Sequence, residues 1–182
     1  RRDKPDYVSS WLLAGGHVVA SKEMRRNGFP IDRYLSVNWM NEVDIANIGP
    51  AEAKGVLRGT NVAGGQEVPI IKTLLDTYYA NGKGSGPIEK AHDVYYNLGI
   101  GMYSAAFEAA RFAVKDSGWP GTPETMKAGY EKLEGYDANG LMAPLTVTAK
   151  DHGGGGKTRV EQWDGESWVP LTDWSAECLD VV

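Results

Sequence analysis

The stretch GLMAPLTVT at residues 140–148, with DHG at 151–153 and TRVEQWDGESWVP at 158–170, decides the fold. Its pattern predicts a short strand, a glycine-rich turn and a β-hairpin. Asp164-Gly165 is the hairpin signal, because a type I′ turn needs positive φ at both central residues. Such a hairpin belongs on a larger sheet, whose other strands must come from elsewhere.

The bulk composition is that of an ordinary globular protein. Hydrophobic residues make up 42% of the 182 residues and charged residues 24%. The net charge of -5 gives no basic surface, so we expect no nucleic-acid partner. The single cysteine, Cys178, excludes an internal disulfide. No signal peptide precedes the first predicted strand, and a mature secreted protein would also lack one.

The first sixty residues predict alternating strands and helices. In order, these are a strand over 6–13, a helix opened by 14–16 and running to about 26, a strand over 34–40, a loop over 41–44, one helical turn from 50 and a strand over 55–62. Gly28 ends the first helix, because glycine adopts the left-handed conformation at no steric cost. This alternation implies a parallel sheet with crossover helices.

The following residues predict three helices and few strands. An amphipathic helix covers 67–80, a glycine-rich linker 81–87, and a long helix 91–115 that is apolar almost all round. A third helix begins at the N-cap Thr122 with Pro123 and ends at Gly135. We expect the long helix to be buried on most of its surface. Three parallel strands are too few for that, which indicates a fragment or one half of a larger fold.

Five landmarks, taken in order, resemble the Leu/Ile/Val-binding family, the type I extracytoplasmic solute-binding proteins of ABC importers. They are Pro5-Asp6-Tyr7-Val8, Met24-Arg25-Arg26-Asn27-Gly28-Phe29, Ala53-Lys54-Gly55-Val56-Leu57, Tyr96-Asn97-Leu98-Gly99 leading to Glu108-Ala109-Ala110-Arg111, and the C-terminal hairpin. The landmarks cover nearly the whole chain but match only the C-terminal half of such a protein.

The resemblance implies an α/β fold with parts of two doubly wound parallel-sheet lobes and a C-terminal β-hairpin. Residues 1–58 would be βα units of the second lobe, and 59–63 a hinge crossover. Residues 64–138 would return to the first lobe, and 139–182 would place a strand and the hairpin on the second lobe at the hinge. The N-terminal half would be absent, carried by a second polypeptide or cleaved from a longer precursor.

Two predicted loops are candidates for a ligand site. In open α/β sheets, ligands bind beyond the carboxyl ends of the strands. The candidates are Ser10, Trp11, Leu12 and Leu13 in the first loop and Asn38, Trp39, Asn41 and Glu42 in the second. Each tryptophan could wall an apolar or aromatic ligand, or it could fill the core.

The resemblance adds roles for some of these residues. In amino-acid-specific members an acidic residue of the second loop holds the ammonium group, which implies Glu42 or Asp44, and Asn38 or Asn41 could hydrogen-bond instead. The alternative for Glu42 is a solvated loop charge. Tyr96 and Asn97 would contribute from the first lobe, with core packing as the alternative for Tyr96. Leu12 and Leu13 favour a more apolar ligand than a simple amino acid.

Other motifs give no site. Asp151-His152 offers too few ligands for a metal and is interpreted as part of a turn, and we place His17 and His92 on helix surfaces. Gly153–Gly156 is not a phosphate loop, because no Gly-Lys-Ser/Thr follows it ahead of a helix: Gly156-Lys157-Thr158 leads into the predicted hairpin. No nucleophile elbow, dinucleotide fingerprint or catalytic dyad is present, so we expect no metal, cofactor or catalysis.

The function implied by the resemblance is that of an extracytoplasmic, periplasmic solute-binding protein of an ABC importer, secreted with a signal peptide that is removed. The ligand would be a branched-chain, aromatic or other apolar amino acid, or a related carboxylate or amide. The partners would be the membrane permease subunits. Ligand binding would shift a hinge equilibrium without chemistry. The alternatives are a ligand-sensing domain of a receptor or regulator with the same fold and, third, an α/β enzyme.

Overall fold

A computed structural model describes residues 4–176, which form two compact units. Within this range, the first unit contains residues 4–61, Asp93–Tyr95 and Thr158–Ser175. The second contains Val62–His92, residues 96–157 and residue 176. Cys178 and the last residues of the predicted segment 139–182 lie outside the described residues.

The first unit is built on one five-stranded sheet. Its strands are β1 (Val8–Ser10), β2 (Tyr34–Val37), β3 (Leu57–Thr60), β4 (Arg159–Trp163) and β5 (Trp168–Pro170), in the order β1-β2-β3-β4-β5. The first three strands are parallel, whereas β4 and β5 add antiparallel to β3. The predicted parallel pattern is confirmed, although each of its strands is shorter than predicted.

Two helices connect the parallel strands. Helix α1 (Gly16–Arg26) ends as predicted, with Gly28 at a φ of 75°. Helix α2 (Glu42–Ile48) stands where the sequence predicted a loop over 41–44, so that prediction is wrong. Asn41 and Asp44 form a capping box: the Asn41 side chain accepts the Asp44 N–H, and the Asp44 side chain accepts the Asn41 N–H. Residues that favour turns also favour helix caps, which explains the error.

The hairpin β4–β5 is confirmed, but its turn differs from the predicted one. Trp163 pairs with Trp168, so the loop has four residues, 164–167. Gly165 has a φ of 114°, while Asp164 does not have a positive φ. Instead, the Asp164 carboxylate accepts the N–H groups of Glu166 and Ser167, both at 2.8 Å. The aspartate therefore stabilises the turn through its side chain rather than by adopting a left-handed backbone.

The core of the first unit lies between the sheet and its helices. Its buried residues are Tyr34, Met40, Ile45, Ile48, Ala53, Val56 and Trp163. Trp163 comes from the hairpin, packs edge-on against Trp168 and donates its indole N–H to the Pro50 carbonyl at 2.9 Å. The hairpin is therefore part of this core and not an appendage.

The second unit is mainly helical. Its elements are α3 (Pro69–Leu74), a π-helical turn (Leu75–Tyr79), a 3₁₀ turn (Ile88–Lys90), α4 (Val94–Ser117, whose first two residues belong to the first unit) and α5 (Pro123–Tyr130). The predicted cap at Thr122 is confirmed. The strand predicted over 140–148 is wrong, because only isolated bridges form there, Val62 with Met142 and Tyr136 with Leu145.

Helix α4 is less buried than its composition predicted. Ala105, Ala109 and Ala113 are buried along one side, at the four-residue spacing of a helix face. Met102, Tyr103 and Phe107 are 63%, 69% and 73% exposed, so the prediction of burial on most of its surface is wrong for the described chain. No helix in the described range is long and apolar enough to cross a membrane.

Candidate ligand site

The first candidate loop follows β1 and is largely open to solvent. Ser10 is buried at the end of the strand, and its hydroxyl accepts the Leu12 N–H at 3.4 Å. Trp11 is 81% exposed, and Leu12 and Leu13 are also exposed. The alternative that Trp11 fills the core is therefore wrong. This loop therefore presents apolar side chains to solvent at the carboxyl end of a parallel strand.

The second candidate loop follows β2 and carries an aromatic pair. Trp39 is half-buried and stacks on Tyr95, with ring centroids 5.7 Å apart and planes 29° apart. The Tyr95 hydroxyl donates to the Trp39 carbonyl at 2.7 Å, which fixes the two residues together. Asn38 donates to the Asn61 side chain at 3.4 Å. The sequence did not single out Tyr95, which lies one residue before the predicted Tyr96.

Asn41 and Asp44 hold the start of α2 in place. The Asn41 side chain accepts the Asp44 N–H at 2.8 Å, and Asp44 Oδ2 accepts the Asn41 N–H in return. Asp44 Oδ1 accepts the Gly15 N–H at 2.8 Å. Asn41 and Asp44 are both buried. Asp44 therefore ties the loop before α1 to α2, and both of its carboxylate oxygens are already hydrogen-bonded.

Glu42, the first residue of α2, has one buried carboxylate oxygen that makes no hydrogen bond among the described residues. Its Oε2 accepts the Val94 N–H at 2.9 Å, at the first residue of α4. Its Oε1 is buried, has no hydrogen-bond partner and lies 3.8 Å from Arg58 Nη1. The side chain is 23% exposed, so the alternative of a solvated loop charge is wrong.

The electrostatics of Glu42 reflect this partial burial. Burial raises the pKa of the Glu42 carboxyl above its usual value, and the Arg58 guanidinium and the Val94 N–H oppose the rise. The nearby Asp93 carboxylate adds to it. An additional cation placed at Oε1 would stabilise the charged form, because an opposite charge at this range lowers a carboxyl pKa.

Arg58 and Glu161 form a buried ion pair next to Glu42, and the sequence does not single out either residue. Arg58 is fully buried on β3, and Glu161 pairs with it directly on β4. Arg58 Nη2 lies 2.7 Å from Glu161 Oε2. These residues are 103 positions apart, so no local signal in the sequence could have joined them.

Asp93 was also missed, although a signal was present. Its carboxylate accepts the Tyr95 N–H at 2.7 Å, at the start of α4. An aspartate immediately before an apolar helical run is a helix-start signature. Its position would have placed the start of the helix at 94 rather than 91.

Tyr96 and Asn97 lie in the second unit, where their contacts are local. The Asn97 amide donates to the carbonyls of Ala63 at 2.9 Å and Gly65 at 3.1 Å, and its buried Oδ1 has no partner. Burial, with a contribution from Tyr79, raises the pKa of Tyr96 to about 12. A contribution of either residue to a ligand site stays a prediction.

The histidines give no metal centre in residues 4–176. His17 is fully buried with its Nδ1 2.9 Å from the Tyr34 hydroxyl, so its placement on a helix surface was wrong. Asp151 closes a turn with Thr148, as predicted, and His152 pairs with Glu131 at 2.9 Å. Among the described residues, no group of three or more His, Cys, Asp or Glu side chains could hold a metal ion.

Comparison with solved structures places this fold among ABC-transporter proteins. A protein described as an ABC transporter permease from the Pseudomonas fluorescens group is 33% identical, with a TM-score of 0.84 over 96% of this chain and 44% of that one. A Thermus thermophilus branched-chain amino acid ABC transporter with bound valine is 23% identical, with a TM-score of 0.79 over 97% and 47%. The Streptococcus pneumoniae branched-chain amino acid transporter substrate-binding protein LivJ, in complex with isoleucine, is 13% identical, with a TM-score of 0.61 over 96% and 46%.

The chain thus spans less than half the length of each of these three proteins. No protein-family model and no curated protein matches the sequence. The structural matches nevertheless confirm the resemblance found from the sequence. The chain has the type I periplasmic binding fold and resembles about half of a substrate-binding protein of a branched-chain amino acid ABC transporter.

Proposed function

We propose that the chain forms part of an extracytoplasmic solute-binding protein that delivers a small-molecule ligand to an ABC importer. The observation that carries the proposal is the buried Glu42 Oε1, which follows the carboxyl end of β2, lies 3.8 Å from Arg58 and has no hydrogen-bond partner. A buried polar atom without a partner is costly, and a ligand donor can remove that cost. The fold shared with proteins whose bound ligands are valine and isoleucine supports the same class of ligand.

The ligand is best described as an amino acid with an apolar side chain. Its ammonium group would donate to Glu42 Oε1, forming a charge-assisted hydrogen bond. The apolar side chain would pack against exposed or half-buried surface from Trp11, Leu13 and Trp39. Ser10, Leu12, Asn38 and Asn41 would shape these loops, and Tyr96 and Asn97 are proposed as further ligand-binding residues.

The remaining assignments belong to the same proposal. Residues 1–58 and 158–175 would be second-lobe segments and 59–63 a hinge crossover. Residues 64–138 would be a first-lobe segment, together with 139–157, which belong to the same compact unit. The N-terminal half of the fold would come from a separate chain or a longer precursor. The protein would act in the periplasm after removal of a signal peptide and dock on permease subunits. Ligand binding would favour the conformation that binds it better, with no bond made or broken.

The ammonium contact can be tested by calorimetric titration of the protein in its full natural length. L-Valine and 3-methylbutanoate differ in the ammonium group. A hydrogen bond to a charged group contributes about 1.5–3 kcal/mol, so 3-methylbutanoate should bind roughly 10- to 150-fold more weakly. L-Aspartate, which keeps the ammonium group but has a charged side chain, is the control for the apolar surface and should also bind weakly.

Two results would contradict the proposal. Equal affinity for L-valine and 3-methylbutanoate would remove the role of Glu42. Failure of valine, leucine, isoleucine and phenylalanine all to bind would remove the ligand class.

A further inference from the structure

The Arg58 guanidinium is fixed on three sides inside the first unit. Nη1 donates to the Met40 carbonyl at 3.0 Å, and Nη2 donates to Glu161 Oε2 at 2.7 Å. The guanidinium also lies over the Trp168 ring, 4.0 Å from its centroid. A planar group held by two hydrogen bonds and a stacking contact has little freedom to turn.

Because Arg58 is held in this way, it lies close to Glu42 without forming a hydrogen bond to it. Nη1 stays 3.8 Å from Glu42 Oε1, close enough for attraction but too far for a hydrogen bond. The Met40 carbonyl already takes a hydrogen bond from the same nitrogen. Glu42 therefore has a buried positive charge beside it, while its buried Oε1 still lacks a hydrogen bond.

Building on the proposed function, we propose that Arg58 is a positioning residue for the ligand-binding carboxylate. Held by Glu161 and the Met40 carbonyl, it keeps Glu42 charged without occupying the oxygen that receives the ligand ammonium. The hairpin β4–β5 thereby takes part in ligand binding, since Glu161 and Trp168 both come from it.

The other charged groups around Glu42 do not replace Arg58. Asp93, next to α4, and Asp44, on α2, are carboxylates, and the Tyr95 phenol is uncharged at neutral pH. Arg159 contacts the other oxygen of Glu161 and lies over Trp174, 4.4 Å from the ring centroid. Burial raises the Glu42 pKa and Arg58 opposes that rise, which agrees with the role argued from geometry.

The test is the affinity for L-valine as a function of pH, measured on the full-length natural protein. Affinity should fall as pH drops through the pKa of Glu42, because the protonated carboxyl cannot pair with an ammonium group. Arg58→Met should move this midpoint upward by about one pH unit or more, since an opposite charge within about 4–6 Å shifts a carboxyl pKa by that amount. At pH values below both midpoints, an upward shift of one pH unit makes the affinity of the variant for L-valine approximately tenfold weaker than that of the wild type.

Three further variants complete the design. Arg58→Lys keeps the positive charge, so its pH midpoint should lie close to that of the wild type. Arg159→Met is the matched control, because it removes a cation from Glu161 without approaching Glu42, and it should leave the midpoint unchanged. If Arg58→Met does not fold, Arg58→Met with Glu161→Gln removes both buried charges and should still move the midpoint upward, although by less, because loss of the Glu161 charge favours the charged form of Glu42.

A structural role alone predicts a different pattern. If Arg58→Met weakens valine binding equally at every pH, or leaves the profile unchanged, the proposal is overturned. The titration of the Glu42 carboxyl carbon, followed by NMR without ligand, gives a separate measurement. If the wild type does not bind valine, the proposed function fails, and the Glu42 titration still shows whether Arg58 sets its charge.

Discussion

Replacing Gly129 with alanine is expected to destabilise the second unit. Gly129 lies in α5, and a Cβ there would fall well inside contact distance of the Ala109 carbonyl oxygen, 3.0 Å from the Ala109 carbonyl carbon and 3.3 Å from the Ala113 nitrogen. All three are backbone atoms of α4, so no side-chain rotation can relieve the clash. The two helices would have to separate.

The magnitude follows from two opposing terms. Overpacking of this kind costs about 1–3 kcal/mol, and alanine recovers about 1 kcal/mol over glycine through helix propensity. Because the clash is with backbone, we expect the cost near the top of its range and a net loss of about 2 kcal/mol in the free energy of unfolding.

Urea unfolding followed by circular dichroism measures this loss, with Gly99→Ala as the control. Gly99 lies inside α4, and a Cβ there would meet no atom within 4 Å. Gly99→Ala should therefore increase stability by up to about 1 kcal/mol. The reasoning is refuted if Gly129→Ala is as stable as the wild type while Gly99→Ala behaves as expected.

Two other predictions concern the first unit. Asn41→Ala removes the cap of α2 and should lower the free energy of unfolding, measured in urea, by about 0.5–2 kcal/mol. Asn47→Ala, at an exposed position of the same helix, is the control and should have little effect. Equal effects of the two substitutions would contradict the capping role. Burial lowers the pKa of His17 below 6.5, so the unfolded chain takes up a proton first as pH falls. Stability should therefore decrease as pH drops below 6.5, and His17→Asn should flatten this decrease in urea titrations between pH 7.5 and 5; an unchanged slope would contradict it.

The elements that the sequence predicted well are those with local signals. The hairpin follows from alternating residues around Asp164-Gly165, the end of α1 from Gly28 and the start of α5 from Thr122-Pro123. Each signal acts within a few residues, so it survives whatever packs around it.

The wrong predictions arise where one residue type is common in two kinds of structure, or where the burial of a helix depends on parts of the chain that are distant in sequence. Asn41 and Asp44 were interpreted as a loop, although the same side chains cap α2. The apolar composition of α4 predicted burial, but exposure depends on which surfaces the rest of the fold supplies.

The candidate site was predictable only in part. Trp11, Trp39 and Glu42 follow from the rule that ligands bind at the ends of parallel strands. Arg58 and Glu161 could not be found, because their pairing depends on the register between β3 and β4. Tyr95 was missed by one residue, a distance that turns a side chain by about 100° around a helix.

The affinity of Glu42→Gln for L-valine tests the central claim most directly, by calorimetry near neutral pH on the full-length natural protein. Glutamine keeps the shape and one acceptor oxygen but removes the charge. Loss of the charge-assisted bond should weaken binding roughly 10- to 150-fold, while Glu23→Gln, at an exposed carboxylate of α1, should bind like the wild type. Wild-type affinity for valine in Glu42→Gln would contradict the account.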